Sequence, residues 1–350
     1  MKDYKFAACA DLHYALFQNL ALLREDMLTD RSDEIDKVFK DIIDSTLKSG
    51  IKDLFILGDA LHRRNIRSDS INGLIYSRFQ YAKDLGLDLH LIIGNHDQSH
   101  IAGEVTAFSM MRDVVDVIDK PKIKTIAGID FLCLPYEEYR GSAKSLEILL
   151  RQSKNPNRIL LGHLGIADCI MSGSDHLTKE PLTIKELSMD KFISGYLGHY
   201  HLPQEIAKDL FYVGSPSQYK LGDKDVDRGY MEVNISLVKG KYKADSKLIK
   251  IDSPKFIEVK AEDYNPKDYK GKHYIKVVGA DRKLVAKLQD DTNIMGTTGE
   301  YINRVVDENK TIKADLGFQE MVSKYVKITE PNRRKHRKLI SNGMRFLNEV

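Results

Sequence analysis

At 350 residues the chain is long enough for one large domain with an appendage, or for two domains. Its 42% hydrophobic and 30% charged content is that of a globular protein in water; no apolar run approaches a membrane span, and the opening "MKDYKFAACADLH" does not read as a signal peptide. The formal net charge of +3 neither demands nor excludes nucleic acid, so any such contact must come from local basic patches.

Apolar runs alternate with helical periods along the chain. "KFAACA" (5–10) reads as a first strand. Residues 32–49 carry Ile35, Val38, Phe39, Ile42, Ile43 and Leu47, a helical stripe with Ser32 as the expected N-cap and Gly50 as the stop. "DLFILG" (53–58) is a strand, 69–85 a helix ending at Gly86, and "LDLHLIIG" (87–94) the next strand. "IKTIAGIDFLCLPY" (123–136) reads as a hairpin, followed by a helix near 142–153 and strands at "RILLG" (158–162), "ISGYLG" (193–198) and "DLFYVG" (209–214). "RGYMEVNISL" and "KYKADSKLIKI" form a closing antiparallel pair. Near 253–255 the texture changes: 256–310 is lysine-rich, with a strand-then-helix pattern in "HYIKVVGADRKLVAKLQ", and from about 314 the pattern is helical. Cys9, Cys133 and Cys169 are scattered without C-x-x-C spacing and read as reduced packing cysteines of a cytoplasmic protein.

Five of these apolar runs end on a carboxylate, amide or imidazole. "KFAACA" runs into Asp11-Leu-His13, "LFILG" into Asp59, "LIIG" into Asn95-His96-Asp97, "ILLG" into His163 and "GYLG" into His199-x-His201. If the last strand continued past Gly198, both its imidazoles would share a face. In open α/β sheets, sites form outside the carboxyl ends of the strands, so five such tips converge. Any one of these histidines alone is more often a hydrogen-bonded core or surface residue; five strand ends at once are not. Seven N/O donors (Asp11, His13, Asp59, Asn95, His163, His199, His201) exceed one tetrahedral ion. They suit two ions with a bridging carboxylate, a pair able to clamp the attacking and leaving oxygens of a phosphoryl displacement. Imidazole-rich ligation favours Mn, Fe or Zn over Mg or Ca.

D-x-H, G-D, G-N-H, H and G-H-x-H in this order resemble the calcineurin-like metallophosphoesterase superfamily. "ADLHYA", "GDALHRR", "GNHDQSH", "GHYH" and then "GSPSQYKLGDKDVDRGY" resemble the SbcD-type, meiotic-recombination-eleven (Mre) DNA nuclease subunits and their phage recombination-endonuclease relatives. The resemblance implies an α/β (α+β) fold: a two-sheet αββα sandwich over 1–253, a small α+β DNA-capping domain over 254–312, and C-terminal helices over 313–350. It implies Asp11, His13 and His201 on one metal, Asn95, His163 and His199 on the other, and Asp59 bridging, with two Mn²⁺ or other divalent transition metals as cofactors. It makes His96 a non-ligand catalytic histidine, with Asp97 able to orient it, and His62 (where many members have a second aspartate) an aid to exonucleolytic cleavage. Arg63, Arg64 and Arg67 in "HRRNIR" would grip the DNA backbone.

The implied activity is a Mn-dependent 3′→5′ exonuclease and single-strand endonuclease acting with an SbcC-type ABC ATPase, as a homodimer, in DNA repair, recombination or phage replication. The alternatives are a stand-alone metallophosphatase or small-molecule phosphodiesterase, and a metal-binding scaffold without catalysis. In the tail, Phe318, Met321, Val322, Tyr325 and Val326 form one helical stripe. Leu339, Ile340, Met344 and Leu347 form a second after Pro331, beside "RRKHRK" (333–338). Such a pair either completes the chain's own core or docks on the ATPase.

Overall fold

The computed structural model describes residues 3–17, 28–63, 68–99, 106–137, 141–171, 177–223, 226–265, 268, 273–281, 283–284 and 294–298. Arg64, Arg67, most of the helix expected after "HYIKVV", and the tail pair lie outside these residues.

Two six-stranded sheets form the body. The first has the order β12 (Lys241–Lys250), β11 (Gly229–Val238), β1 (Tyr4–Cys9), β2 (Asp53–Leu57), β3 (Asp88–Ile92), β4 (Asp116–Ile118). The second runs β5 (Lys122–Ile126), β6 (Ile129–Leu134), β7 (Arg158–His163), β8 (Ser194–Gly198), β10 (Leu210–Tyr212), β9 (Gln204–Ala207). The strands β1 to β4 are parallel, as are β6, β7, β8 and β10. The expected hairpin β5–β6 and closing pair β11–β12 are antiparallel, and β11 also pairs antiparallel with β1.

The two-residue period of the strands builds the layers. Phe6, Ala8, Phe55, Leu57 and Ile92 face Phe131, Cys133, Ile159, Leu161 and Tyr196 between the sheets. The Phe6 ring meets Phe55, Phe131 and Tyr196 edge-on at 5.7, 5.3 and 5.6 Å. Ala7, Cys9, Leu54 and Ile56 point the other way, onto α1 (Asp30–Lys48) and α2 (Asp69–Asp84). On the far side, Leu132, Leu160 and Leu197 pack against Leu146 and Leu149 of α3 (Gly141–Gln152). The result is the expected αββα sandwich. All three cysteines are free and buried. A separate parallel sheet follows: β13 (Phe256–Lys260), β14 (Tyr274–Val278) and β15 (Ile294–Thr298). No helix among the described residues is long and apolar enough to cross a membrane.

One local reading is corrected. The N-cap of α1 is Thr29, whose hydroxyl accepts from the Ser32 amide at 3.2 Å; the fully buried Ser32 hydroxyl instead donates to the Ala15 carbonyl at 2.8 Å, tying the loop after β1 to the helix. As read, β8 ends at Gly198 and does not continue through the histidines: His199 takes φ 109°, and its amide donates to the Asp11 carboxylate at 3.1 and 3.2 Å.

Candidate dinuclear metal centre

The tips of β1, β2, β3, β7 and β8 meet at one end of the sandwich, bound by backbone contacts before any side chain is considered. Asp11, His13 and Tyr14 donate to the carbonyls of Gly58, Asp59 and Ala60 at 3.0, 2.9 and 2.8 Å, lacing the first two loops together. To aim their side chains inward, Asp11, His13 and Asp59 adopt φ of 54°, 53° and 51°, in the left-handed region that non-glycine residues avoid. With His199, four of the seven predicted donors are held this way. Such conformations cost about 1–3 kcal/mol each and persist where the surroundings enforce them, commonly at functional sites.

The glycines before these tips have a steric reason. A Cβ on Gly94 would lie 2.3 Å from both the amide nitrogen and Oδ1 of Asp59, and one on Gly198 would lie 2.0 Å from the Leu57 carbonyl. Gly94→Ala should therefore displace Asp59. We expect it to destabilise the fold by about 1–3 kcal/mol, the usual cost of overpacking, and to lower metal content measured by plasma mass spectrometry. An unchanged melting temperature and metal content would show that this approach does not constrain Asp59.

All seven predicted donors come together. Asp11, His13 and His201 place ligand atoms within 4.8 Å of one another, as do Asp11, Asp59 and His163. On one side, Nε2 of His13 and Nε2 of His201 are 2.9 Å apart. On the other, Asn95 Oδ1 is 3.0 Å from His163 Nε2 and 3.0 Å from His199 Nδ1, and those nitrogens are 3.3 Å apart. The Asp59 carboxylate joins the two sides: it groups with Asp11 and His163, and also with His13 and His96.

These residues fit divalent cations. His163 Nδ1 donates to the Leu57 carbonyl at 2.8 Å, so in the neutral ring Nε2 presents a lone pair, facing an amide oxygen and another imidazole. Acceptors crowded on so few protons are satisfied by a metal. Burial lowers His13 and His201, and burial together with His163 takes His199 to about 3, keeping these imidazoles neutral and able to ligate. For His163, burial acts downward, but Asp59 and Asp11 raise it to about 9, so a cation bound there would have to displace the Nε2 proton, and metal binding would release it. Burial raises Asp11, with Asp59 adding to the effect; burial would raise Asp59 too, but His163, His13 and His96 hold it well below the usual range. The balance of N and O donors suits a borderline transition metal.

The expectation that Asp97 orients His96 is not met. Both Asp97 oxygens are taken by backbone amides, Oδ1 by Leu61 at 2.9 Å and Oδ2 by Gly94 at 2.8 Å, so this buried carboxylate locks the second and third loops together. His96 instead donates Nδ1 to the His62 carbonyl at 2.5 Å, which leaves Nε2 toward the centre, 3.8 Å from Asp59 Oδ2. The His62 ring lies nearly parallel to it at 6.0 Å. Arg63 is exposed beside this loop.

Sequence reading missed three residues that hold the centre. The Tyr219 hydroxyl donates to the Leu12 carbonyl at 2.5 Å, and its ring lies 5.2 Å from His13 and 5.5 Å from His201. The buried Arg228 guanidinium donates to the His201 carbonyl and, at 3.0 Å, to the Ser215 hydroxyl. Tyr136 stacks on His199 at 5.9 Å. The first two belong to the "GSPSQYKLGDKDVDRGY" block; a tyrosine and an arginine inside an otherwise turn-like segment were the available signal.

A family model described as calcineurin-like phosphoesterase matches residues 4–203. The chain is 22% identical over 244 residues to YhaO of Bacillus subtilis (strain 168), described as an uncharacterized metallophosphoesterase; the match covers 67% of this chain and only 58% of that relative's length. Among solved structures, a dimetal phosphatase from Danio rerio aligns with a TM-score of 0.39 and 11% identity over 70% of this chain and 98% of its own. The nuclease MPE of Pseudomonas putida aligns with a TM-score of 0.27 and 20% identity over 46% of this chain and 62% of its own. The matched segment begins with β1 and ends just past His201, spanning every strand tip that contributes to the centre, and the chain belongs to the calcineurin-like phosphoesterase family.

Proposed function

We propose that this phosphoesterase is a Mn-dependent DNA nuclease of the SbcD type, cutting duplex DNA from 3′ ends and single strands internally. The observation that carries this reading is the pair His62 and His96: two imidazoles outside the seven donors, nearly parallel to each other and each packed edge-on against the ring of His13. A second imidazole in G-D-x-x-H is what separates "GDALH" from the simpler phosphatase wording. Asp11, His13 and His201 would hold one ion, Asn95, His163 and His199 the other, and Asp59 both. Two divalent cations held there would supply charge neutralisation on the phosphoryl group and a water acidified to near neutrality. The chain's own part is proton delivery and positioning. The His96 side chain is 37% exposed, open to a substrate, and its Nε2 can hand a proton to the departing 3′ oxygen. Tyr219 and Arg228 keep the His13 and His201 loops in place.

In the same reading 1–253 is the nuclease domain, 254–312 a DNA-capping domain, and 313–350 the segment that binds an SbcC-type ATPase. The protein works as a cytoplasmic homodimer, and Arg63, Arg64 and Arg67 hold the DNA backbone. Purified protein should degrade linear duplex DNA and a single-stranded circle with Mn²⁺ and lose most activity with Mg²⁺. Hydrolysis of a small chromogenic phosphodiester without any cleavage of DNA would instead favour the small-molecule phosphodiesterase. Truncation after Lys313 should abolish ATPase capture while leaving Mn²⁺-dependent cleavage; a truncated chain that still captures the ATPase places the contact elsewhere.

A further inference from the structure

We infer that Phe17 and Arg31 are positioning residues that set the orientation of His62 and couple it to the small three-stranded sheet. The inference rests on the role proposed for His62. Among the described residues, His62 Nδ1 is buried without a hydrogen-bond partner. No hydrogen bond at Nδ1 fixes the ring, so the packing around it is a main restraint on its orientation. Among the described residues three rings pack on it: His13 edge-on at 5.1 Å, His96 nearly parallel at 6.0 Å, and Phe17 tilted at 5.5 Å. The first two are committed to the centre. Phe17 is the outer wall, and it also stacks on Tyr219 at 6.5 Å.

Phe17 is itself held from behind. The Arg31 guanidinium lies over its ring, 4.1 Å from the centroid, although Arg31 is only 7% exposed. A planar cation buried on an aromatic face is a directional contact that a lysine cannot reproduce. The guanidinium also meets Tyr274 at 5.0 Å and Phe256 at 5.8 Å, the residues that open β14 and β13. Those two rings pack on each other at 5.0 Å. The sheet is fastened on both flanks of this contact: the Tyr274 hydroxyl donates to Glu34 of α1 at 2.6 Å, and the Phe256 amide donates to Gln218 at 2.6 Å. A continuous stack therefore runs from the small sheet through Arg31 and Phe17 to His62. A displacement of that sheet, as when it meets a substrate, has a direct steric route to the imidazole.

The test uses the full chain loaded with Zn²⁺, which is diamagnetic, and reads the His62 imidazole signals by NMR, assigned with His62→Ala. Arg31→Lys, which keeps the Phe17 ring, should move the His62 signals, and Phe17→Leu should move them by more than the loss of its ring current accounts for, while those of His90 on β3 stay in place. Phe17→Tyr should restore them. With Mn²⁺, Phe17→Leu should lower kcat on duplex DNA roughly tenfold, since small misplacements of a catalytic group carry such penalties, with KM unchanged. Added to His62→Ala it should cost less than twofold more, because its effect passes through that residue. Unmoved His62 signals, or an undiminished further loss in the His62→Ala background, would overturn the inference. If Phe17→Leu does not fold, Arg31→Lys carries the same readouts. Failure of the wild-type protein to cut DNA would refute the nuclease reading, while the NMR comparison would still decide whether Phe17 and Arg31 position His62.

Discussion

Asp59→Asn should leave a folded protein that has lost its metals and its cleavage. The carboxylate is 2% exposed and sits in two of the three close donor groups, one containing His163 and the other His13. Its Oδ1 also accepts the His96 amide at 2.8 Å, a contact that an asparagine oxygen can keep, so the loop geometry has a reason to survive. What an amide cannot supply is a negative charge shared by two cations. Outer partners of metal ligands are typically worth about 10–100-fold in affinity or activity; a shared ligand should exceed that, on the order of a thousandfold in cleavage. Metal content would fall in parallel. Thermal unfolding gives an independent readout. Ligand binding stabilises by about 2.7 kcal/mol when the ligand is at a hundred times its dissociation constant, so Mn²⁺ should raise the melting temperature of the wild type and have little effect on the variant. Full activity in a chelator-stripped sample, or a wild-type melting temperature indifferent to Mn²⁺, would remove the metal centre from consideration.

The parts of this site that could be read from sequence are those whose signal is local. Asp11, Asp59, Asn95, His163 and His199 each follow a short apolar run, and a strand that stops on a polar group is visible within six residues. The runs "KFAAC" and "DLFIL" were legible as strands, but both of their faces are apolar, so only the structure shows that Phe6 and Phe55 lie between the sheets while Ala7 and Leu54 face the helices. What was hidden depends on distant partners. Tyr219 reaches a carbonyl 207 positions earlier in the chain, and no period marks a residue for that. Asp97 was misjudged because proximity in sequence to His96 was taken as proximity of side chains; its carboxylate turns back to Gly94 and across to Leu61. Ser32 was misread because it suits an N-cap in isolation, while Thr29 is placed there by the chain leaving the loop. The strands β4 and β9 are only 3 and 4 residues long, too short for periodicity to register.

His96→Ala should separate chemistry from assembly. The residue lies outside the seven donors, its Nδ1 is engaged by the His62 carbonyl, and its Nε2 faces Asp59 at 3.8 Å. Removal leaves Asp11, Asp59, His163 and the other donors untouched, so both metals and DNA affinity should remain near wild type. Cleavage should fall by about 10²–10⁴-fold, the usual contribution of a positioned general acid. The loss should appear in kcat, since a group that acts only in the transition state contributes nothing to ground-state binding. A substrate whose leaving group needs no protonation, such as a nitrophenyl phosphodiester, should be spared most of the loss. The donor grouping of His96 with His13 and Asp59 makes the competing outcome concrete: if His96→Ala loses a metal equivalent and is impaired equally on both substrates, the residue is a ligand and the proton must come from elsewhere.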